Sequence, residues 1–402
     1  MNILNRMSDL GWDCHCMMHN YVGQWIKKGN FKFNDDTPIN FNMYGIGREP
    51  YCKELWRPMI DKVKPDVFGI LLDTFFIFPW AVGFNFAPAK AMFYYPSDGG
   101  KFPINCENIL KTFPYSVAMS QFGQKQVKEL YNLDYQHIPH GTDTKLFYPL
   151  SKEQKLQLRH NYRKEKGIDL IDKFVVGVVA RNQGRKMLDR TIKSFYLLAK
   201  KVPNAVLLLH MDMYDPAGVF DIYKLITELK LNNRVFSTGF RYFDAIDYTK
   251  MNELYNLFDC FFLSTSGEGF GIPIIEAMSC GIPVLATDYT TTPEIVQKND
   301  AGMGIKLIGT ENLSMHELMH DKGHSLMDID TMLINGTITG GWNVERGVID
   351  CNDAANKLQH MYDNPDLMVK FSRNARKTAE NIYSWDVVIK QWQKHFEHMR
   401  DV

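Results

Sequence analysis

The stretch CFFLSTSGEGFGIPIIEAMSCGIPVLATD, residues 260–288, runs from a short apolar segment through a glycine-rich turn into a second apolar segment that carries a glutamate. Residues 260–265 have the continuous apolar character of a strand buried on both faces. A helix is expected from near Ile272, with Pro273 in its first turn, where a missing N–H costs nothing. The amides of Gly269, Phe270 and Gly271 then sit just ahead of a helix, free to meet an anion and assisted by the helix dipole. A diphosphate fits that description. Glu268, in the turn, and Glu276, a turn into the helix, are acceptor-only groups on either side of the anion, placed to take hydrogen bonds from sugar and ribose hydroxyls. The plain alternative is a strand-to-helix turn with surface glutamates.

Upstream, GVVARNQGRKMLDR (177–190) ends a strand and opens a helix, with Arg181 and Lys186 five residues apart across the turn. The carboxyl edge of a parallel sheet is where such folds bind ligands, so both cations are expected to face the crevice of the glycine turn. There they can neutralise a departing diphosphate. An ordinary solvated basic loop is the competing explanation.

Further out, strand and helix signals alternate along most of the chain. DVFGILLD (66–73), AMFYYP (91–96), YSVAMS (115–120) and YQHIPHG (135–141) form one series. KFVVGVVARN (173–182), AVLLLHMD (205–212), RVFSTGF (234–240) and CFFLSTS (260–266) form another. Helical periodicity fills the intervals, which implies parallel sheets of the doubly wound α/β class. Two series joined near GTDTKLFYPLS predict two Rossmann-like domains facing each other across a cleft, over 1–148 and 149–384. The segment 308–345 interrupts the alternation as an insertion or long loop, and the chain ends in an amphipathic helix from 385 to 402. The beginning is unusual. NILNRMSDLGWDCHCMM reads as a helix and then a strand, so either a first strand is lost or MNIL is a stunted form of it.

With 402 residues, 45% apolar and 23% charged, the chain has the composition of a multi-core globular enzyme. Lys plus Arg and Asp plus Glu balance at 46 each, so no global field draws the protein to nucleic acid, and phosphate binding must be local. Seven cysteines without a Cys-x-x-Cys pair favour reduced thiols and a cytoplasmic setting. The sequons at Asn312 and Asn335 therefore carry no weight. Asp73 and Pro79 argue against a membrane span at 67–84, although FFIFPW within it allows a lipid-facing or acceptor-facing lip, hence peripheral membrane contact.

These features resemble one family. The Glu268-x7-Glu276 pattern, the Arg181 and Lys186 pair, the linker PHGTDTKLFYP and the late YSWD are similar to the retaining nucleotide-sugar glycosyltransferases of family 4 (group 1), which have the GT-B fold. The likeness is strongest over 137–300. It implies transfer of a sugar from a nucleotide diphosphate donor to a glycan, lipid-linked or other acceptor. Arg181 and Lys186 would hold the diphosphate, Glu276 the ribose and Glu268 the donor sugar. Gly269, Phe270 and Gly271 would touch phosphate or sugar, and Gly239 would line the same site. Donor phosphate would help take the acceptor proton, with no protein nucleophile, metal or cofactor. The family's usual glycine-rich turn after a first strand has no counterpart in residues 1–20.

Other polar residues offer further candidates. Asp98, after AMFYYP, is either the acceptor's hydrogen-bond partner or a turn-former before two glycines. His140 reads as a linker residue, while His210 and Asp212 either line the donor site or pack and cap. Asp328 to Asp330 follows no strand, as a metal-binding Asp-x-Asp should. Cys14, His15, Cys16 and His19 resemble ligands, but strand alternation separates neighbours. An epimerase or phosphorylase on the same fold, and a non-catalytic sugar-nucleotide-binding module, remain as rival functions. Nothing in the chain speaks to base, sugar, linkage or oligomeric state.

Overall fold

The computed structural model describes residues 2–18, 24–30, 32, 38–45, 53–72, 81, 83–100, 106–215, 218–241, 247–312 and 344–402. The FFIFPW segment, Asp328 to Asp330, and 313–343 of the expected insertion lie outside them.

The chain starts with helix α1 (Asn2–Asp9), then β1 (His15–Met18), β2 (Asn42–Gly45), α2 (Lys53–Val63), β3 (Val67–Leu71) and β4 (Lys90–Tyr95). It continues through α3 (Cys106–Thr112), β5 (Val117–Ala118), α4 (Gln121–Tyr131) and β6 (Gln136–His137). β3-β4-β5-β6 form a parallel sheet, while β1 and β2 pair in parallel as a separate piece. Asn2 to Leu4 are helical, so MNIL is not a stunted strand. α1 is fixed through its polar face: Asn5 donates to Pro38 O (2.9 Å) and accepts from Asn40 N (2.7 Å). A cavity of about 650 Å³ lies between β1 and β3.

The second sheet takes its strands from β7 (Phe174–Val179), β8 (Ala205–His210), β9 (Val235–Ser237), β10 (Cys260–Leu263), β11 (Val284–Thr287) and β12 (Gly302–Ile305). Their order, β12-β11-β10-β7-β8-β9, is parallel throughout and reverses between β7 and β10. Helices α5 (Lys152–Lys166), α6 (Leu188–Ala199), α7 (Ile222–Glu228), α8 (Tyr248–Leu257) and α9 (Ile272–Ser279) provide crossovers or flank them. Every residue of β8, β10 and β11 is buried, which is why these strands read as unbroken apolar runs. The described ends of the interrupting segment form an antiparallel hairpin, β13 (Leu307–Asn312) with β14 (Glu345–Ile349).

Helices α10 (Cys351–Asp363), α11 (Pro365–Thr378) and α12 (Trp385–Asp401) complete the chain. α12 returns to the first sheet, where Trp392 meets Tyr94 edge-on at 4.8 Å and Phe396 meets Trp12 at 5.8 Å. The outgoing and returning segments run side by side: Thr142 N donates to Tyr383 O (2.7 Å) and Trp385 N to Thr142 O (3.0 Å). Gly141 allows this, because a Cβ there would lie 2.6 Å from the Trp385 ring. Arg6 of α1 reaches the same point through Asp143 (2.9 Å) and Asp386 (3.6 Å).

Candidate active site

The carboxyl edges of the two sheets meet at the turn that follows β10. Gly267 packs so closely on the first sheet's β4 loop that a Cβ would fall 1.9 Å from Asp98 O. Arg346 of β14 closes the contact, donating to Asp98 O at 2.5 Å with Asp98 Oδ2 at 3.1 Å. Asp98 is thus an ion-pair partner across the cleft, a role its sequence context did not suggest.

Glu268 lies one residue on and is buried. Its backbone is pinned by the loop after β11: Glu268 N donates to Thr290 Oγ1 (3.0 Å), and Thr291 Oγ1 donates to Glu268 O (2.7 Å). Its carboxylate Oε1 accepts from Lys186 Nζ at 2.5 Å and Arg185 Nη1 at 3.0 Å. Burial pushes this carboxyl upward, but Arg185 and Lys186 more than offset it and hold it down at about 2. Lys186, buried as well, is lowered by desolvation despite the attraction of Glu268. The pair is ionised, since two cations share one carboxylate.

A 3₁₀ turn, Gly184–Lys186, delivers both cations to that carboxylate. Arg181, at the end of β7, turns instead to Asp215: Nε to Oδ2 is 2.7 Å, and the Asp215 side chain is almost fully buried. Around it, Arg241 reaches Asp212 (3.2 Å) and stacks over Tyr214 (5.0 Å). His210 contacts Thr238 Oγ1 (2.9 Å), and burial lowers it to about 4, so it is neutral near pH 7. Gly239, with φ +79°, is exposed beside them at the end of β9.

Gly271 caps α9 with φ +95°, a left-handed conformation that glycine adopts without strain, and Pro273 follows in the first turn. Among the described residues no protein acceptor meets the amides of Gly269, Phe270 or Gly271. Phe270 itself is buried against Tyr383 and His140. Half-buried Glu276 accepts from Tyr255 Oη at 2.6 Å. Burial raises this carboxyl to about 7, the bond from Tyr255 pulling the other way. His140 contacts Trp385 at the crossing between the sheets, consistent with a linker role.

One contact joins the halves away from these groups. Glu294 accepts from Gln121 N (3.1 Å) and Phe122 N (3.0 Å), the first amides of α4, whose own first turn has no acidic residue. Arg185, Tyr255, Arg346 and Glu294 were not singled out in the sequence. Only Arg185 carried a local signal, its adjacency to Lys186.

Residues 159–314, which contain Arg181, Lys186, Glu268 and Glu276, match the family described as glycosyl transferases group 1. The matched stretch, less than half of the chain, is similar to the group 1 glycosyl transferases. The chain is 27% identical over 191 residues to mannosylfructose-phosphate synthase of Agrobacterium fabrum, a match covering 46% of the chain and 38% of that protein. The chain therefore spans well under half the length of this curated relative. Its fold is similar to that of sucrose-phosphate synthase from Thermosynechococcus elongatus: TM-score 0.69, 17% identity, 99% of this chain and 91% of that one. Anabaena HepE in complex with UDP is similar too, with TM-score 0.61, 18% identity and coverage of 90% and 86%. The chain thus has the GT-B fold over nearly its whole length. No helix among its described residues is long and apolar enough to cross a membrane.

Proposed function

We propose that this protein moves a sugar from a nucleotide diphosphate donor to a hydroxyl of a glycan, lipid-linked or other acceptor, with retention of anomeric configuration. One observation carries the proposal. Glu268, with Arg185 and Lys186 on its carboxylate, directly precedes three unpartnered amides at a helix start, and Glu276 lies in the same helix. A diphosphate placed at those amides meets the helix dipole and the Arg185 and Lys186 charges together. Arg181 approaches from the neighbouring strand end.

The same residues perform the chemistry. Lys186 and Arg181 stabilise negative charge as the sugar–oxygen bond to the diphosphate breaks. Glu268 holds Lys186 before that moment and turns to donor-sugar hydroxyls when phosphate competes for the cations. Ionised Glu276 accepts from the ribose hydroxyls. The acceptor attacks from the leaving-group side, and its proton goes to donor phosphate. The scheme relies on Arg181, Arg185 and Lys186 for the diphosphate charge and calls on no metal. Asp98, held by Arg346, sits where the acceptor domain meets the donor turn. Free thiols at Cys14, Cys16 and Cys260 support a cytoplasmic setting.

The deciding test is thermal stabilisation by UDP-, GDP- and ADP-sugars, with wild type beside Glu276→Ala. UDP-sugars come first because HepE was solved with UDP. Stabilisation by one nucleotide class that the variant loses supports the donor site, and stabilisation by none refutes it. Donor breakdown without acceptor, or dependence on free phosphate, would move the assignment to an epimerase or phosphorylase.

A further inference from the structure

β14 pairs with β13 along one edge, and its other edge carries two backbone bonds two residues apart. Gly347 N donates to Ser266 O (2.9 Å), at the entry to the Gly267 turn of the second half. Glu345 O accepts from Gly100 N (2.9 Å), in the loop that follows β4 of the first half. One strand edge therefore grips the Gly267 turn and the opposite half of the molecule together. Tyr289, after β11, steadies the grip by donating to Glu345 O (3.1 Å).

The β4 loop is shaped to be gripped. A Cβ on Gly99 would overlap Val344, one on Gly100 would overlap Tyr289, and one on Gly267 would overlap Asp98 O. None of these glycines has a left-handed backbone, so turn geometry does not call for them. The approach of the two halves does. Within the first half the loop is stiffened by Gln126, which accepts from Ser97 Oγ (2.6 Å) and donates through Nε2 to Gly99 O (2.9 Å).

Arg346 lies at the centre of this contact with its side chain 12% exposed, and it meets both the carbonyl and the carboxylate of Asp98. A planar guanidinium can serve two oxygens of one residue in fixed directions, which an ammonium cannot. The Asp98 side chain is 31% exposed, and its Oδ1 receives no hydrogen bond among the described residues. Burial lowers Lys186, and the Asp98 charge, like that of Glu268, acts against this. One Asp98 oxygen is thus tied to Arg346, while the other stands open beside Lys186 and Glu268.

We propose that Arg346 is a positioning residue for sugar transfer: as the halves close, it seats the Asp98 carboxylate on the Gly267 turn and leaves one oxygen for a sugar hydroxyl. The part concerning sugar rests on the transferase reading, whereas the seating of Asp98 rests on the contacts alone. With the halves apart, the β4 loop loses Arg346 and Glu345 O together. Asp98 is then a solvated carboxylate ahead of two glycines, with no fixed direction. Closure turns it into an oriented acceptor, so Arg346 acts on the reaction without touching substrate.

The test compares the full chain with Arg346→Gln, Arg346→Lys, Asp98→Asn and the double variant Arg346→Gln with Asp98→Asn. In the unliganded protein, exchange at the Gly100 amide is expected to quicken roughly tenfold in Arg346→Gln. The amides of β8 should stay protected, which shows that the fold is intact. Release of nucleotide from UDP-, GDP- and ADP-sugars is then followed with water as the acceptor. Arg346→Gln is expected to lower kcat about 10- to 100-fold with KM unchanged, the effect of a displaced group and not of a lost substrate contact. Arg346→Lys should recover part of the rate, and the double variant should be no slower than Asp98→Asn. Unchanged exchange at Gly100 overturns the proposal. So do a rise in KM that accounts for the loss and losses that multiply in the double variant. If no nucleotide-sugar stabilises or is consumed by the wild type, the transferase reading falls instead, and exchange at Gly100 alone decides whether Arg346 seats Asp98.

Discussion

Tyr255, fully buried in α8, donates its hydroxyl to the Glu276 carboxylate of α9 at 2.6 Å. Burial raises Glu276 to about 7 against an ordinary 4.5, the bond from Tyr255 pulling the other way. A raised carboxyl favours the native state at low pH. Its contribution is complete below about 4.5 and is lost as pH rises through 7. Glu276→Gln is expected to flatten the slope of stability against pH between those values, as measured by urea unfolding.

If Glu276 takes the ribose hydroxyls as proposed, nucleotide affinity is expected to have the opposite slope, because that role needs the ionised carboxylate. Binding is expected to strengthen as pH rises through about 7. Tyr255→Phe removes the bond that stabilises the anion, so its binding midpoint should move to higher pH. Titration calorimetry with UDP at several pH values checks this. Equal weakening at every pH would reduce Tyr255 to packing.

Glu268 behaves as the reverse case. Its carboxyl is held at about 2, so its stabilising contribution is present above the ordinary carboxylate range and fades as pH falls from about 4.5 towards 2. Lys186→Ala is expected to lower kcat about 10²- to 10³-fold, the usual effect of deleting one group that stabilises leaving-group charge. Arg185→Ala should cost less, because Lys186 still holds Glu268. Initial rates on a donor identified by thermal shift decide the order.

Glu294→Gln is expected to loosen the halves without disturbing either sheet. The charge on the first two amides of α4 is lost, a change of about 1 kcal/mol. Exchange at Gln121 and Phe122 should quicken while the amides of β8 stay protected.

Gly141→Ala drives a methyl into the Trp385 ring. Overpacking of this kind costs about 1–3 kcal/mol, and a lowered Tm that Trp385→Leu partly restores would locate the strain.

Much of the fold could be read from residue order, because β7, β8, β10 and β11 are buried on both faces and their apolar runs are unbroken. Gly271 and Pro273 marked the start of α9 for local reasons of backbone geometry. Arg346 was invisible because its partner Asp98 is 248 residues away. Tyr255 has the periodicity of a core helix residue, and nothing nearby distinguishes its hydroxyl. Glu294 caps a helix in the other half, so no spacing rule connects them. The linker and YSWD motifs were visible as patterns, but their physical reason, Gly141 lying flat against Trp385, needed the crossing itself.

That crossing has a mechanical consequence. The outgoing and returning segments are stapled through Thr142, Tyr383 and Trp385, so the two halves share one pivot line instead of two independent tethers. Bodies joined along one line open like a book. The page edge lies at Asp98 and Arg346, where a small rotation at the spine becomes a large displacement of the Gly267 turn from the β4 loop.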